Sequence, residues 1–351
     1  GVLEIVANIA PELTQQLKNE GSLNSICFPI ATNKTYKDTI TSSSFFTENH
    51  QQELAKRDIQ RVTQIVQAVV YGDYIETVEL VKQYHASLEA IRTLKATVTD
   101  YSGREVKEKT VWQAALCVMD YDLCKYLMNN QMYHDIVKNQ YFEIFPDGHE
   151  KAYKSQTFFN FSEISQEINE SSDTDVEEAL KLGLDNKTNL WLKLEKFRKD
   201  FTKRSLEEAV FNPQHLIGAF SRYENTKWLT CRKSNLFWRQ VVGFAQRFLP
   251  AHIAMDFAQG ISVLLDGGKK TNNSFEFQDG LGSIFPLSFD PFYSGLGYEY
   301  AVSCKKIPGT VEYTRTDSAK FFEEYVNLKQ AYWTEIVRHF FGQKPSINQL
   351  R

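Results

Sequence analysis

The sequence predicts an α+β protein that is mostly helical. Apolar residues recur at helical spacing through most of the 351-residue chain, one helical stretch repeats itself, and residues 274–305 alternate polar and apolar side chains between glycines. The composition, 42% hydrophobic and 24% charged, excludes wholesale disorder. We therefore expect a packed helical core and a small sheet towards the C-terminal end.

Changes in this pattern predict four segments. Residues 1–47 read as an amphipathic helix and a loop or strand that pack on the body, 48–135 as repeats, 136–270 as a helical region, and 271–351 as a small sheet and a last helix. Strands are expected at Phe275–Phe277 and Tyr298–Val302, helix starts at Asp173 and at Asn212–Pro213, and the last helix from about Ser318 to Phe341.

A repeat of 47 residues is the most informative feature. Its members recur in the same order: Thr63, Ala68, Asp73, Tyr74 and Leu80 return as Thr110, Ala115, Asp120, Tyr121 and Leu127. The run from Thr110 to Ala115 resembles the ankyrin pattern T-P-L-H-x-A, with Val111 and Gln113 replacing Pro and His. We therefore expect degenerate ankyrin repeats beside or inserted in an α+β body, with Thr110 capping its helix.

Ankyrin-type units bind other proteins with their concave face and hairpin tips, and they carry no chemistry of their own. The insertion between Gly103 and Thr110 is charged, as a tip that meets a partner would be. Its predicted partner-binding residues are Arg104, Glu105, Lys107 and Glu108.

Three further segments carry a resemblance to a known family: Val98–Arg104, Phe211–Leu216 and Phe237–Pro250. Together they resemble the ankyrin-containing effectors that Legionella injects through its Dot/Icm type IV secretion system. This resemblance implies a bacterial protein secreted into the reducing cytosol of a host cell, where it binds a host protein and alters host signalling or membrane trafficking. Several such effectors join ankyrin repeats to a cysteine-protease-like body.

A cysteine hydrolase is the first enzymatic alternative, with Cys27 in a polar loop as its candidate nucleophile. Phe289–Asp290–Pro291 is similar to the turn that follows the catalytic histidine in YopT-like cysteine proteases, which makes Asp290 a candidate catalytic residue. However, the sequence has no histidine between His252 and His339, where that family places its base. This absence favours a protease-like body without a working triad and a structural role for Cys27.

An atypical GTP or ATP hydrolase is the second alternative. Paired glycines can expose backbone N–H groups to a phosphate, and the candidate nucleotide-binding residues are Gly267, Gly268, Lys269 and Thr271. Magnesium would be required only for this reaction. Lys270 interrupts the Gly-Lys-Thr order of a P-loop, so an ordinary turn is the favoured interpretation.

The remaining features exclude other classes. A net charge of −4 argues against DNA as a partner, no apolar stretch approaches 18 residues, and no cysteines or histidines show the spacing of a metal site. We therefore expect no transmembrane segment, no metal and no resident cofactor. The polar residues Arg239, Gln240, Gln246 and Arg247 are expected to form a buried hydrogen-bonded network between helices.

Overall fold

The structure is a computed structural model that describes residues 44–84, 88–129, 136–180, 188–259, 261–265, 278–279, 282–283, 305–306 and 313–341. The chain divides into two units, Gly1–Arg61 and Val62–Arg351. The described part of the first unit is helical, with surface ion pairs three residues apart on the helix. The larger unit contains the last turns of the first helix, from Val62 onwards, and every later element.

The N-terminal half of the described chain alternates short helices with one hairpin. Its elements are α1 (Ser44–Val70), α2 (Tyr74–Gln83), α3 (Leu88–Thr93), β1 (Ala96–Thr99), β2 (Glu105–Lys109), α4 (Val111–Cys117), α5 (Tyr121–Asn129), α6 (Val137–Ile144) and α7 (His149–Ser155).

The C-terminal half is helical up to residue 265 and ends in a long helix. Its helices are α8 (Ser162–Glu170), α9 (Asp173–Leu180), α10 (Asn189–Glu207), α11 (Gln214–Asn225), α12 (Cys231–Phe237), α13 (Gly243–Gln246), α14 (Ala251–Gln259), α15 (Ile261–Leu265) and α16 (Ser318–Phe341). A π-helical turn, Trp238–Val242, joins α12 to α13. The described strands of this half are β3 (Gln278–Asp279), β4 (Gly282–Ser283), β5 (Lys305–Lys306) and β6 (Tyr313–Thr314), which pair β3–β4 and β5–β6. The expectation of a mostly helical α+β protein is therefore confirmed.

Two helix–turn–helix corners, 47 residues apart, have the same hydrogen-bond pattern. At the α1–α2 corner Asp73 N donates to Ala68 O (3.0 Å), and at the α4–α5 corner Asp120 N donates to Ala115 O (2.9 Å). Each aspartate then accepts from the backbone N–H three residues later, 2.9 Å in the first corner and 3.1 Å in the second. The preceding residues, Gly72 and Met119, have φ values of 70° and 60°. The sequence repeat therefore coincides with a repeat of local backbone geometry.

The two copies differ where their first helices begin. Thr110 caps α4 as predicted, because its hydroxyl accepts from Gln113 N and the Gln113 side chain accepts from Thr110 N. Thr63 lies inside the 27-residue helix α1, so it caps no helix. The first copy is therefore continued by a helix on its N-terminal side.

An antiparallel hairpin, β1–β2, occupies part of the stretch from Thr47 to Met132 that the apolar spacing predicts to be helical. Its turn is fixed by Asp100, whose carboxylate accepts from Ser102 N (2.8 Å), Ser102 Oγ (2.6 Å) and Arg104 N (2.9 Å). Gly103, with φ of 87°, completes the turn. The prediction was wrong here because side-chain alternation over so few residues gives a weak signal.

A helical region is predicted for residues 136–270, and the described residues from 136 to 265 contain only helices and their connections. Helix α9 starts at Asp173 and α11 follows Pro213, as expected. The predicted polar network is also present at Gln240, whose Nε2 donates to Ala179 O (2.7 Å) and whose Oε1 accepts from the buried Arg198. These bonds join the π-helical turn to α9 and α10.

The last helix, α16, has the predicted bounds and packs on the body. Its buried Trp333 stacks on Tyr121 of α5, with ring centroids 5.0 Å apart and planes 15° apart. Tyr325 Oη donates to the buried Asp256 of α14 (2.5 Å). The strands predicted at Phe275–Phe277 and Tyr298–Val302, and everything predicted for residues 1–43, lie outside the described residues.

Candidate functional site

A groove lies between the last turns of α1, helix α2 and the tip of the β1–β2 hairpin. It encloses about 720 Å³, and its rings come from Tyr71, Tyr84 and Tyr101. We call this surface the tyrosine groove. Its volume falls in the range of about 300–1,000 Å³ that is typical of sites for small molecules or single side chains.

The hairpin wall of the tyrosine groove is tied to α1. Tyr101 of the turn stacks on Tyr71, with ring centroids 4.2 Å apart and planes 22° apart. Gln67 Nε2 donates to Thr99 O (3.0 Å), which fixes the end of β1. On the opposite side Tyr84 Oη donates to Gln64 Oε1 (3.0 Å). The rings are therefore held in place before anything binds, which reduces the entropy lost on binding.

The polar lining of the tyrosine groove is acidic. The carboxylates of Asp73 and Glu76 both line it, and neither has a cationic partner among the described residues. The pKa of Tyr101 is raised by burial first, and then by Tyr71 and the negative charge of Asp73. This arrangement of carboxylates beside aromatic rings favours a cation.

The four residues predicted to bind a partner do not share one surface. Arg104 is buried, with only 5% of its surface exposed, and its Nη2 lies 3.5 Å from Phe248 O. Glu105 and Lys107 are exposed and pair with each other at 3.0 Å, while Glu108 accepts from Thr97 Oγ1 (3.2 Å). Strand alternation explains the difference, because Arg104 and Val106 face the body and Glu105 and Lys107 face outwards.

Two of the described cysteines, Cys117 and Cys124, do not have the surroundings of a nucleophile. Cys117 and Cys124 are buried in α4 and α5, and burial raises the pKa of both thiols, that of Cys117 to about 11. At neutral pH both are therefore protonated and serve as small apolar groups. Cys231 is exposed at the start of α12.

Two buried histidines have both ring nitrogens engaged. His215 Nδ1 accepts from Phe159 N (2.9 Å), so its Nε2 carries the proton and donates to the Glu208 carboxylate (3.0 Å). His149 contacts Tyr141 Oη (2.8 Å) and Thr334 Oγ1 (3.1 Å). His215 is therefore a core histidine whose two ring nitrogens are both hydrogen-bonded.

The burial of His149 predicts a pH-dependent stability. Burial, opposed in part by the charge of Glu150, lowers its pKa from 6.5 to about 4. Below pH 6.5 the unfolded chain therefore binds a proton that the folded chain does not. As the pH is lowered from 6.5, the His149 contribution to the free energy of unfolding therefore falls by about 1.4 kcal/mol per pH unit, until the pH approaches the folded-state pKa of about 4.

We expect urea unfolding of the wild type at a series of pH values to show this dependence of the free energy of unfolding on pH. In His149→Gln the slope should be smaller by the amount that one bound proton contributes, ~1.4 kcal/mol per pH unit. The Gln side chain keeps hydrogen-bonding capacity without titrating. Equal slopes in the two proteins would show that His149 is protonated in the folded state as readily as in the unfolded chain.

The candidate catalytic residues Cys27 and Asp290, and the candidate nucleotide-binding residues Gly267, Gly268, Lys269 and Thr271, lie outside the described residues. Both enzymatic alternatives therefore stay predictions. The described part of the chain brings together no group of three or more His, Cys, Asp or Glu side chains that could hold a metal ion. Within the same ranges, each helix is either too short or too polar to cross a membrane.

No family model, no curated protein and no solved structure matches this chain. The site must therefore be interpreted from its own geometry. Sequence reasoning missed the three groove tyrosines, which are separated by as many as 30 positions and meet only through the fold. The available signal was Tyr101, an aromatic residue in a turn, where a large apolar ring requires a neighbour to cover it.

Proposed function

We propose that this chain is an interaction protein that binds a segment of another protein in the tyrosine groove. The observation that supports this proposal best is the groove itself: three fixed tyrosine rings and two carboxylates without a cationic partner in the described chain surround a volume of about 720 Å³. An open, prearranged surface of this kind suits recognition of a side chain. The setting implied by the resemblance makes the partner a host protein met by a secreted bacterial effector.

The repeated corners support an ankyrin-like origin for this surface. Positions that match between the two copies differ in exposure: Asp120 and Leu127 of the second copy are buried, whereas Asp73 and Leu80 of the first are only partly buried and line the groove. In repeat proteins such a face is covered by the next unit or by a ligand. We propose that the partner covers this face in the first copy.

Charge complementarity specifies the chemistry of the partner. The bound segment presents a lysine or arginine side chain to Asp73 and Glu76, with its aliphatic stem against the tyrosine rings. Such a contact combines a charge pair with cation–π attraction and burial of methylene groups. A segment without a cationic residue would leave the two carboxylates without their counter-charge.

Selection of peptides from a random display library on the full chain tests this proposal. We expect enrichment of peptides with Lys or Arg beside an apolar residue. For a synthesised peptide, Glu76→Lys and Tyr101→Ala should each raise the Kd by about tenfold or more, equivalent to ~1.4 kcal/mol. The matched control is Glu79→Lys, which makes the same charge change on α2 at a residue that does not line the groove.

Two results would contradict the proposal. One is a set of enriched peptides that bind without any cationic residue. The other is a peptide whose Kd changes equally in Glu76→Lys and Glu79→Lys, because that would reflect only the overall charge of α2.

A further inference from the structure

A second, much smaller cavity lies where Arg104, at the turn end of the hairpin, meets α10, α11 and the end of α13. Its volume is about 10 Å³, enough for one particle the size of a water molecule. Arg104 and Ser205 both line it, with 5% and 1% of their surfaces exposed. The rest of the lining is mainly apolar, including Phe201, Phe211 and Phe248.

Two buried polar atoms of this lining have no hydrogen-bond partner in the described structure: Arg104 Nε and Ser205 Oγ. The guanidinium Nε–H can only donate, and the serine hydroxyl can donate. A buried donor without an acceptor costs about 1–3 kcal/mol, and a buried charge without a counter-charge costs more. What the cavity lacks is therefore an acceptor.

No negative charge that lines the cavity is available to pair with the positive charge of the Arg104 guanidinium among the described residues. The carboxylate of Glu208 also lines it, but that carboxylate is held by Arg204 Nε (3.4 Å), Asn212 Nδ2 (3.0 Å) and His215 Nε2 (3.0 Å). Arg104 forms no ion pair with any described residue. Burial keeps the nearby Cys117 thiol protonated, so it supplies no negative charge at neutral pH.

From this geometry we infer that the cavity is a binding site for a small monatomic anion, a halide, held between Arg104 and Ser205. The ion accepts from Arg104 Nε and Ser205 Oγ and neutralises the buried guanidinium. A phosphate or carboxylate is too large for a cavity of about 10 Å³. Because Arg104 directly follows the hairpin turn, the ion also holds the turn end of the hairpin on the body.

Crystals grown in sodium bromide, measured at the bromine absorption edge, test this inference directly. We expect an anomalous peak within hydrogen-bonding reach of Arg104 Nε and Ser205 Oγ. In solution, the Tm should be higher in sodium chloride or bromide than in sodium gluconate of equal ionic strength, because gluconate is too large to enter and a ligand of the folded state stabilises it.

Variants separate the site from a general salt effect. The halide-dependent rise in Tm should be lost in Arg104→Met, whereas Lys107→Met, an exposed position on the same hairpin, should keep it. Since Arg104→Met also removes packing, Ser205→Ala provides a second variant with a small volume change, and it should weaken the apparent halide affinity by about tenfold.

Three outcomes would overturn the inference. The first is density for a single particle without an anomalous signal, which would identify a water molecule. The second is an anomalous peak without any halide-dependent Tm, which would mean an adventitious ion only. The third is an equal halide response in the wild type and in both site variants.

Discussion

Replacing Trp333 by alanine is expected to lower the free energy of unfolding by about 3–5 kcal/mol. The indole of Trp333 is fully buried, and it contacts rings from three other helices: Tyr121 at 5.0 Å, Trp112 at 6.0 Å and Tyr141 at 6.2 Å between centroids. Its removal leaves a large cavity among aromatic side chains that are fixed by their own helices. Such a site collapses poorly, so most of the lost contact energy is not recovered.

The matched control for this prediction is Leu328→Ala on the same helix. Leu328 is 52% exposed, and its truncation should change the free energy of unfolding by no more than about 0.5 kcal/mol. Urea unfolding followed by fluorescence or circular dichroism measures both variants. If Trp333→Ala were as stable as Leu328→Ala, α16 would not be part of the cooperative core, and the packing of the last helix would need a different explanation.

Helix α16 was predictable because its signal is local and long. Twenty-four residues keep one apolar face, which carries Phe322, Tyr325 and Trp333 to the core, and no glycine or proline interrupts them. Helix starts at Asp173 and after Pro213 were predictable for the same reason, since a start depends on a few adjacent residues. The depth to which Trp333 is buried was not predictable, because its neighbours are about 200 residues away in the sequence.

The hairpin and the groove show where local reasoning fails. Including this hairpin in a helical stretch from Thr47 to Met132 also removed the strand alternation that predicts the burial of Arg104 beside Val106. The charge of Arg104 was therefore assigned to the surface, whereas its side chain lies in the body. The tyrosine groove depends on three elements that meet in space, and no spacing in the sequence encodes that meeting. The repeat of 47 residues, by contrast, marks two real corners because each is built from local hydrogen bonds.

Gly72 lies at the first of these corners. We expect its substitution to destabilise the protein more than the positive φ of Gly72 alone would explain. Its φ of 70° disfavours side chains, but Met119 adopts 60° at the matching position of the second corner. The additional constraint on Gly72 is the start of α14. A Cβ atom at Gly72 would lie 2.7 Å from His252 N and 3.2 Å from Ala251 Cβ. The nearest atom is backbone, so relief requires α14 or the corner itself to move.

We therefore expect Gly72→Ala to lower the free energy of unfolding by about 2–4 kcal/mol, combining the cost of a left-handed alanine with that of overpacking. Gly103→Ala isolates the first cost, because Gly103 has a φ of 87° and a Cβ atom added there would meet no other atom within 4 Å, and it should cost about 1 kcal/mol. Chemical denaturation of the two variants beside the wild type gives the difference. Equal losses would mean that α14 does not pack closely on the corner, since only that contact distinguishes the two glycines.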